Sequence, residues 1–141
     1  RVVTGSTDGL IKVWDTRTRR CAMTLSGHVS AVWCLSMPSA DDNVIISGGG
    51  DGQVKLWDLR ASFRGSRLTL HGHTEACTAL DLDWSKVVTA SSDMTVRLWD
   101  VNTGRPLSVC AGHTGSVTAV KLLDTYVASS SMDGTLRCWF E

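Results

Sequence analysis

A short polar pattern recurs four times along this chain of 141 residues. In each copy an aspartate is followed six residues later by a tryptophan, and a Gly-His dipeptide precedes three of the four aspartates. The aspartates are Asp8, Asp51, Asp93 and Asp133, and they lie about 40 residues apart. A period of this length is typical of stacked repeats. Each unit of such a fold buries its apolar face only against its neighbours, so this period constrains the fold more than any other feature.

The apolar residues of one repeat predict four short strands. After each Gly-His dipeptide the apolar residues are spaced i, i+3, i+5, as in Val32, Leu35 and Met37. Strict alternation would give i, i+2, i+4, so the extra residue predicts a β-bulge early in the first strand. Three further apolar runs follow, at residues 44–46, 54–56 and 68–70 of the same repeat. We therefore expect an all-β chain of short antiparallel strands.

The Gly-His start, the Trp-Asp end and the period together resemble the WD40-repeat family over essentially the whole chain. The resemblance implies a β-propeller, in which each blade is a four-stranded antiparallel sheet. On this basis the WD40 region covers residues 1–141, with a partial repeat at 1–25 and further repeats at 26–70, 71–110 and 111–141. The pattern opens inside a second strand and stops at the end of a third, so we expect part of a larger propeller.

Each full repeat combines a histidine, a hydroxyl, an aspartate and a tryptophan, which are also the residue types of a nucleophilic triad. Repetition argues against catalysis, because an enzyme needs one such site and not one per repeat, and no G-x-S-x-G elbow is present. The family resemblance instead implies buried hydrogen-bonded tetrads and no catalytic residue. The tetrads would be His28, Ser47, Asp51 and Trp57, then His73, Thr89, Asp93 and Trp99, then His113, Ser129, Asp133 and Trp139.

The composition argues against binding of nucleic acid, insertion into a membrane and binding of a metal. The formal net charge is zero, which disfavours direct binding of nucleic acid, and no apolar run is long enough for membrane insertion. The five cysteines form no C-x-x-C pair, and His71 and His73 have no third ligand nearby in the sequence, so we expect no metal or other cofactor. Unpaired cysteines also indicate an intracellular protein, in the cytoplasm or the nucleus.

The resemblance further implies that partners, either proteins or peptides, bind the narrower top face of the propeller. Family members make such contacts from the bulge of the first strand, from the residue two before it, and from the residue before the turn aspartate. The candidates are Trp33, Thr78 and Thr118 at the bulges, and Met132 before Asp133. Trp33 is the large aromatic among them, of the type that anchors interfaces. These positions carry no arginine, so capture of a phosphopeptide is disfavoured.

Two alternative roles stay open beside that of a non-catalytic interaction scaffold. The boxes Trp14-Asp15-Thr16-Arg17 and Trp57-Asp58-Leu59-Arg60 resemble those of substrate receptors for cullin–RING ubiquitin ligases. This resemblance implies that Arg17 and Arg60 contact the ligase adaptor. The opening residues 1–15 and the stretch 62–66 also resemble propellers of DENN-domain trafficking regulators.

Overall fold

The computed structural model describes residues 1–38, 43–61, 65–83 and 85–140, and within them the prediction of an all-β chain is confirmed. No helix of these residues is long and apolar enough to cross a bilayer. The first seven strands are β1 (Val2–Gly5), β2 (Ile11–Asp15), β3 (Arg20–Leu25), β4 (Val32–Ser36), β5 (Val44–Gly49), β6 (Val54–Asp58) and β7 (Leu68–Leu70). The next seven are β8 (Cys77–Leu82), β9 (Lys86–Ser91), β10 (Thr95–Asp100), β11 (Pro106–Ala111), β12 (Val117–Leu122), β13 (Tyr126–Ser131) and β14 (Leu136–Phe140).

The strands form four separate antiparallel sheets, each made from strands that follow one another in the chain. Their orders are β1-β2-β3, β4-β5-β6-β7, β8-β9-β10-β11 and β12-β13-β14, and we call these sheets blades 1 to 4. Consecutive hairpins suffice to build each sheet, so one sequence repeat supplies almost all the strands of one blade. The β-propeller blades expected from the sequence are therefore confirmed.

The predicted bulge is present in the innermost strand of blades 2, 3 and 4. The pairing register shifts between Val32 and Cys34, between Cys77 and Ala79, and between Val117 and Ala119. The one residue that lies between the two named residues has no partner in the neighbouring strand. Its side chain therefore need not follow the alternation of the sheet. These unpaired residues are the three bulge candidates of the sequence, Trp33, Thr78 and Thr118.

The apolar core lies between the blades. One buried cluster joins blades 1 and 2, and it includes Ile11, Val13, Ile45 and Trp57. A second joins blades 2 and 3 through Ile46, Leu56, Val87 and Trp99, and a third joins blades 3 and 4 through Val88, Val96, Val117 and Val127. Each inner blade is thus covered on both faces, which explains why its second strand reads as a continuous apolar run.

A glycine in the turn between the second and third strands lets neighbouring blades approach closely. Gly52 has φ 73° in the left-handed region, and a Cβ atom there would lie 2.9 Å from the carbonyl oxygen of Glu75 in blade 3. In blade 3 the same turn has Met94 at φ 68°. The facing loop of blade 4 has Gly115 where blade 3 has Glu75.

Replacing Gly52 with alanine tests this inter-blade contact, and Gly134 provides a matched control. Gly134 has φ 79°, but no atom lies within 4 Å of a Cβ built there. We expect Gly134→Ala to lower the free energy of unfolding by about 1 kcal/mol through left-handed strain alone. Gly52→Ala should lower it by about 1–3 kcal/mol more, because the added methyl also meets backbone of the next blade. Urea denaturation measures both, and equal losses would contradict the contact.

Candidate functional site

A chain of hydrogen bonds crosses blade 2 from its third strand to its entry loop. The indole Nε1–H of Trp57 donates to Ser47 Oγ at 2.8 Å, and Ser47 Oγ lies 2.8 Å from His28 Nε2. His28 Nδ1 lies 3.0 Å from Asp51 Oδ2. Since the indole can only donate, the Ser47 hydroxyl donates onward to an unprotonated Nε2. The Nδ1–H of His28 then donates to the carboxylate, so every group in the chain is satisfied.

Asp51 also binds backbone on both sides of the blade edge. Its Oδ2 accepts from the N–H of Val29 at 3.1 Å, and its Oδ1 accepts from the N–H of Gln53 at 3.0 Å. Val29 belongs to the loop after the Gly-His dipeptide, and Gln53 belongs to the turn before β6. One carboxylate therefore joins the start of the repeat to the turn in its middle.

Blades 3 and 4 repeat the same connections. In blade 3 the Trp99–Thr89, His73–Thr89 and His73–Asp93 distances are 2.9, 2.8 and 2.8 Å. In blade 4 the Trp139–Ser129, His113–Ser129 and His113–Asp133 distances are 2.8, 2.9 and 2.9 Å. The structure therefore brings together all twelve residues that the sequence grouped into tetrads.

Blade 1 includes Thr4, Asp8 and Trp14 of the polar set that the blades share. Trp14 donates to Thr4 Oγ1 at 2.9 Å, as in the other blades, but Asp8 is exposed and accepts from the backbone of Leu10 at 2.9 Å. Among the described residues, the turn aspartate of this blade is held by local hydrogen bonds with Ser6 and Leu10.

Burial and hydrogen bonds shift the pKa values of tetrad residues in blades 2 and 3. Burial lowers the pKa of His28 and of His73 despite the neighbouring carboxylates, which favour the charged imidazole. For Asp93, burial raises the pKa, but hydrogen bonds from Thr95 and His73 outweigh it and lower the pKa to about 2. A neutral imidazole thus lies beside an ionised carboxylate at neutral pH.

The hydroxyl groups of the tetrads are inaccessible to a substrate. Ser47 and Thr89 are 0% exposed and Ser129 is 2% exposed. Each hydroxyl also accepts a hydrogen bond from a tryptophan indole, at 2.8 or 2.9 Å. A nucleophilic serine or threonine must reach the reacting carbon with its oxygen, and these oxygens have no open side. The buried geometry supports a structural role for the tetrads.

Replacing Asp51 with alanine should lower the free energy of unfolding by about 1–3 kcal/mol, because His28 and two backbone N–H groups lose their acceptor. Asp8→Ala is the matched control, since Asp8 occupies the same turn in blade 1 but is exposed and accepts from local backbone. Thermal or urea denaturation should show a clearly smaller loss for the control. An unchanged melting temperature for Asp51→Ala would contradict a structural role for the tetrad.

Trp33 is the large exposed aromatic on the face formed by the entry loops and the turns before the third strands, which we call the top face. Its side chain is 58% exposed, and Val29 nearby in sequence is 88% exposed. A Cβ atom on Gly50 would lie 3.3 Å from Trp33 Nε1, so the indole lies against a residue without a side chain. The N–H of Gly50 donates to the carbonyl of Ala31 at 2.8 Å, which holds entry loop and turn together.

The other top-face candidates differ in exposure. The Thr78 hydroxyl donates to the carbonyl of Val117, so it joins blade 3 to blade 4 and is already engaged. Thr118 is exposed, with its hydroxyl 3.3 Å from the Ser130 carbonyl, and Met132 is 77% exposed. Two exposed apolar residues were not predicted from the sequence as candidates for partner binding, namely Val29 and Met94, of which Met94 is 44% exposed. The other three repeats have glycine directly after the turn aspartate, so a methionine at this position could have indicated Met94.

On the opposite face, the aspartate of each W-D-x-R box ends its strand by binding the residues that follow. Asp15 Oδ1 accepts from the backbone N–H of Arg17 at 2.8 Å, and Asp58 Oδ1 accepts from that of Arg60 at 3.0 Å. The Arg60 guanidinium also turns back onto Asp58, at 2.9 and 3.1 Å. Both arginines are exposed, but Arg60 is partly engaged within its own box.

Two further sequence predictions concern metal binding and the stretch 62–66. Within it, no three histidine, cysteine, aspartate or glutamate side chains are grouped as a metal site would require. Of the stretch 62–66 that resembles DENN-domain regulators, residues 62–64 lie outside the described residues.

Comparison with known proteins agrees with the repeats. Nuclear distribution protein nudF of Emericella nidulans is 38% identical over 106 residues, which are 73% of this chain and 24% of that protein. The DENN domain and WD repeat-containing protein SCD1 of Arabidopsis thaliana is 30% identical over 104 residues, which are 74% of this chain and 8% of that protein. The chain thus spans less than a third of the length of these curated relatives.

Solved structures and a family model point the same way. The crystal structure of the computationally designed Ika4 protein has a TM-score of 0.88 and 38% sequence identity, and covers 98% of this chain and 83% of its own. The model of the WD domain, G-beta repeat, matches residues 1–15, 19–58, 65–100 and 104–139. The first match lies within blade 1, and each later match begins in the outermost strand of one blade and ends with the third strand of the next. Matches that cover most of the chain show that it belongs to the WD40-repeat family.

Proposed function

We propose that this chain is a non-catalytic protein-interaction surface, and that a partner binds its top face at Trp33. The observation that carries the proposal is the exposure of the indole, 58%, on a bulge of the innermost strand. Large aromatic side chains are costly to leave in water, and they anchor interfaces by filling apolar pockets of the partner. The other tryptophan residues of the described full blades are buried or half-buried in tetrads.

The surroundings of Trp33 support a partner with apolar side chains. Ala31 and Gly50 carry no charge, and Val29 adds a second exposed apolar side chain on the entry loop. The Trp33 Nε1 atom lies beside Gly50, and its N–H is a donor that a backbone carbonyl of the partner can accept. We therefore propose a peptide or loop that places an apolar side chain against Trp33.

The polar residues repeated in every blade support a non-catalytic role. Ser47, His28 and Asp51 satisfy one another and the neighbouring backbone, which leaves no group poised to attack a substrate. Positions 31, 33 and 50 carry alanine, tryptophan and glycine and no arginine, which disfavours a phosphorylated partner. Localisation in the cytoplasm or the nucleus stays a prediction.

Affinity capture from cell extract tests the top-face proposal. The immobilised chain is compared with Trp33→Ala and with Leu107→Ala, which removes an apolar side chain of similar exposure, 52%, from the outer strand of blade 3. Proteins retained by the wild type should be retained by Leu107→Ala and reduced at least about tenfold by Trp33→Ala, the loss expected for an interface anchor. Equal retention by Trp33→Ala would contradict the proposal.

The exposure of Arg17 and Arg60 on the opposite face supports a second role, that of a substrate receptor for a cullin–RING ubiquitin ligase. The pairing of Arg60 with Asp58 weighs against it, because adaptor binding has to compete with that ion pair. The double variant Arg17→Ala plus Arg60→Ala, run in the same capture, distinguishes the two faces. Loss of a ligase adaptor from this variant alone would favour the receptor.

A third role, as the propeller of a DENN-domain trafficking regulator, is supported by the similarity to SCD1 of Arabidopsis thaliana. The shared segment is 8% of that protein and lies in repeats that many WD-repeat proteins have. The similarity therefore supports the repeat type more than the cellular role, and a DENN domain in the same full-length protein would be needed to favour it.

A further inference from the structure

Two cysteine side chains from neighbouring blades meet beside the innermost strands. Cys34 lies on β4 of blade 2 and Cys77 on β8 of blade 3, and their Sγ atoms are 3.8 Å apart. Cys34 Sγ also lies 3.6 Å from the carbonyl oxygen of Cys77 and 3.8 Å from that of Gly48. The two thiols therefore contact each other across the interface between the blades.

Gly48 on β5 provides the space for this pair. A Cβ atom on Gly48 would lie 2.5 Å from Cys77 Sγ and 2.7 Å from Cys34 Sγ, so even an alanine would displace the sulfur atoms. Gly48 is paired with Cys34 in the ladder. The corresponding pair in blade 3 is Ala90 with Ala79, where no thiol is present. The glycine and the two cysteines are thus a combination specific to one blade interface of the described residues.

The two thiols differ in access to solvent. Cys77 is 0% exposed, whereas Cys34 is partly exposed. The hydrogen bond with Cys34, followed by burial, raises the pKa of the Cys77 thiol well above its usual value. A small oxidant therefore reaches Cys34 first, because Cys34 is the more exposed of the two side chains.

We propose that Cys34 and Cys77 form a peroxide-sensitive site, in which Cys34 is oxidised first and Cys77 then closes a disulfide between blades 2 and 3. This inference does not depend on the proposed function of the top face. The contact between two sulfur atoms, one open to solvent and one enclosed, is the arrangement of an attacked thiol beside a resolving thiol.

Hydrogen peroxide supplies the oxidising equivalents. The sulfur of Cys34 attacks one peroxide oxygen, the O–O bond breaks, and the products are a sulfenic acid on Cys34 and one water. The sulfur of Cys77 then attacks Cys34 Sγ, the S–O bond breaks, and the departing hydroxide leaves as water with the thiol proton of Cys77. The two thiols lose two electrons in total, and the peroxide is reduced to two waters.

Closure of the bond requires a modest movement. The Sγ atoms must approach from 3.8 Å to about 2.05 Å, the length of a disulfide. Rotation of the two side chains within the space over Gly48 supplies part of this approach.

Peptide mapping after peroxide treatment tests the proposal. Trypsin leaves Cys21 and Cys34 together in residues 21–55 and Cys77 in residues 68–86, so the test uses Cys21→Ser, which changes an exposed side chain and keeps both interface cysteines. The folded protein is treated with hydrogen peroxide, alkylated with iodoacetamide, digested and analysed by mass spectrometry. We expect the two peptides as one species, lighter than their sum by two hydrogens and lost on reduction.

Controls distinguish a disulfide that the folded structure favours from random oxidation of the cysteines. In urea the Cys34–Cys77 link should lose its dominance over links to Cys110 and Cys138, whereas in the folded protein it should exceed them at least tenfold. Cys77→Ser should leave Cys34 as a sulfenic acid that dimedone traps, and Cys34→Ser should leave Cys77 reduced. Recovery of Cys34 and Cys77 in separate alkylated peptides, while exposed Cys138 is oxidised, would overturn the proposal.

Discussion

The hydrogen bond between a buried imidazole and a turn aspartate is the interaction on which the other features of this chain depend. In blade 2, His28 and Asp51 lie 3.0 Å apart, and the same carboxylate holds the backbone of the entry loop and of the turn. Because the partner groups are buried, leaving any one unsatisfied is costly, so the whole set is retained together. This set fixes the top edge of the blade, and the positions of Trp33 and Gly50 follow from it.

Much of the fold could be predicted because the same short pattern, which means little when it occurs once, recurs along the chain. One Trp-Asp pair means little, but four at a common spacing predict the blades, and the i, i+3, i+5 spacing predicts the bulge that the register shift at Trp33 confirms. Which polar residues meet could also be predicted, because the family resemblance implies the tetrads and the aspartate and tryptophan of each repeat are recognisable in the sequence. Their distances and burial required the structure, and these make the Ser47 hydroxyl inaccessible to a substrate.

The rest could not be predicted, because it depends on contacts between blades that no single repeat contains. Thr78 and Trp33 occupy the same bulge position, yet Thr78 binds the backbone of the next blade while Trp33 is exposed. The Cys34–Cys77 contact likewise joins residues from different repeats, and it needs the missing side chain of Gly48. The positions at which repeats differ, and not those they share, are where the structure supports partner binding and oxidation.

The central claim is that the shared polar residues are satisfied inside the blade, and that the imidazoles of blades 2 and 3 are neutral and donate from Nδ1. Nitrogen-15 NMR of the histidine side chains tests it most directly, because the two ring nitrogens of each tautomer have different chemical shifts. At pH 6.5, where an ordinary imidazole is about half protonated, His28 and His73 should be in the neutral Nδ1–H form, with N–H protons that exchange slowly with water. Protonated rings, or the Nε2–H tautomer with fast exchange, would contradict the account.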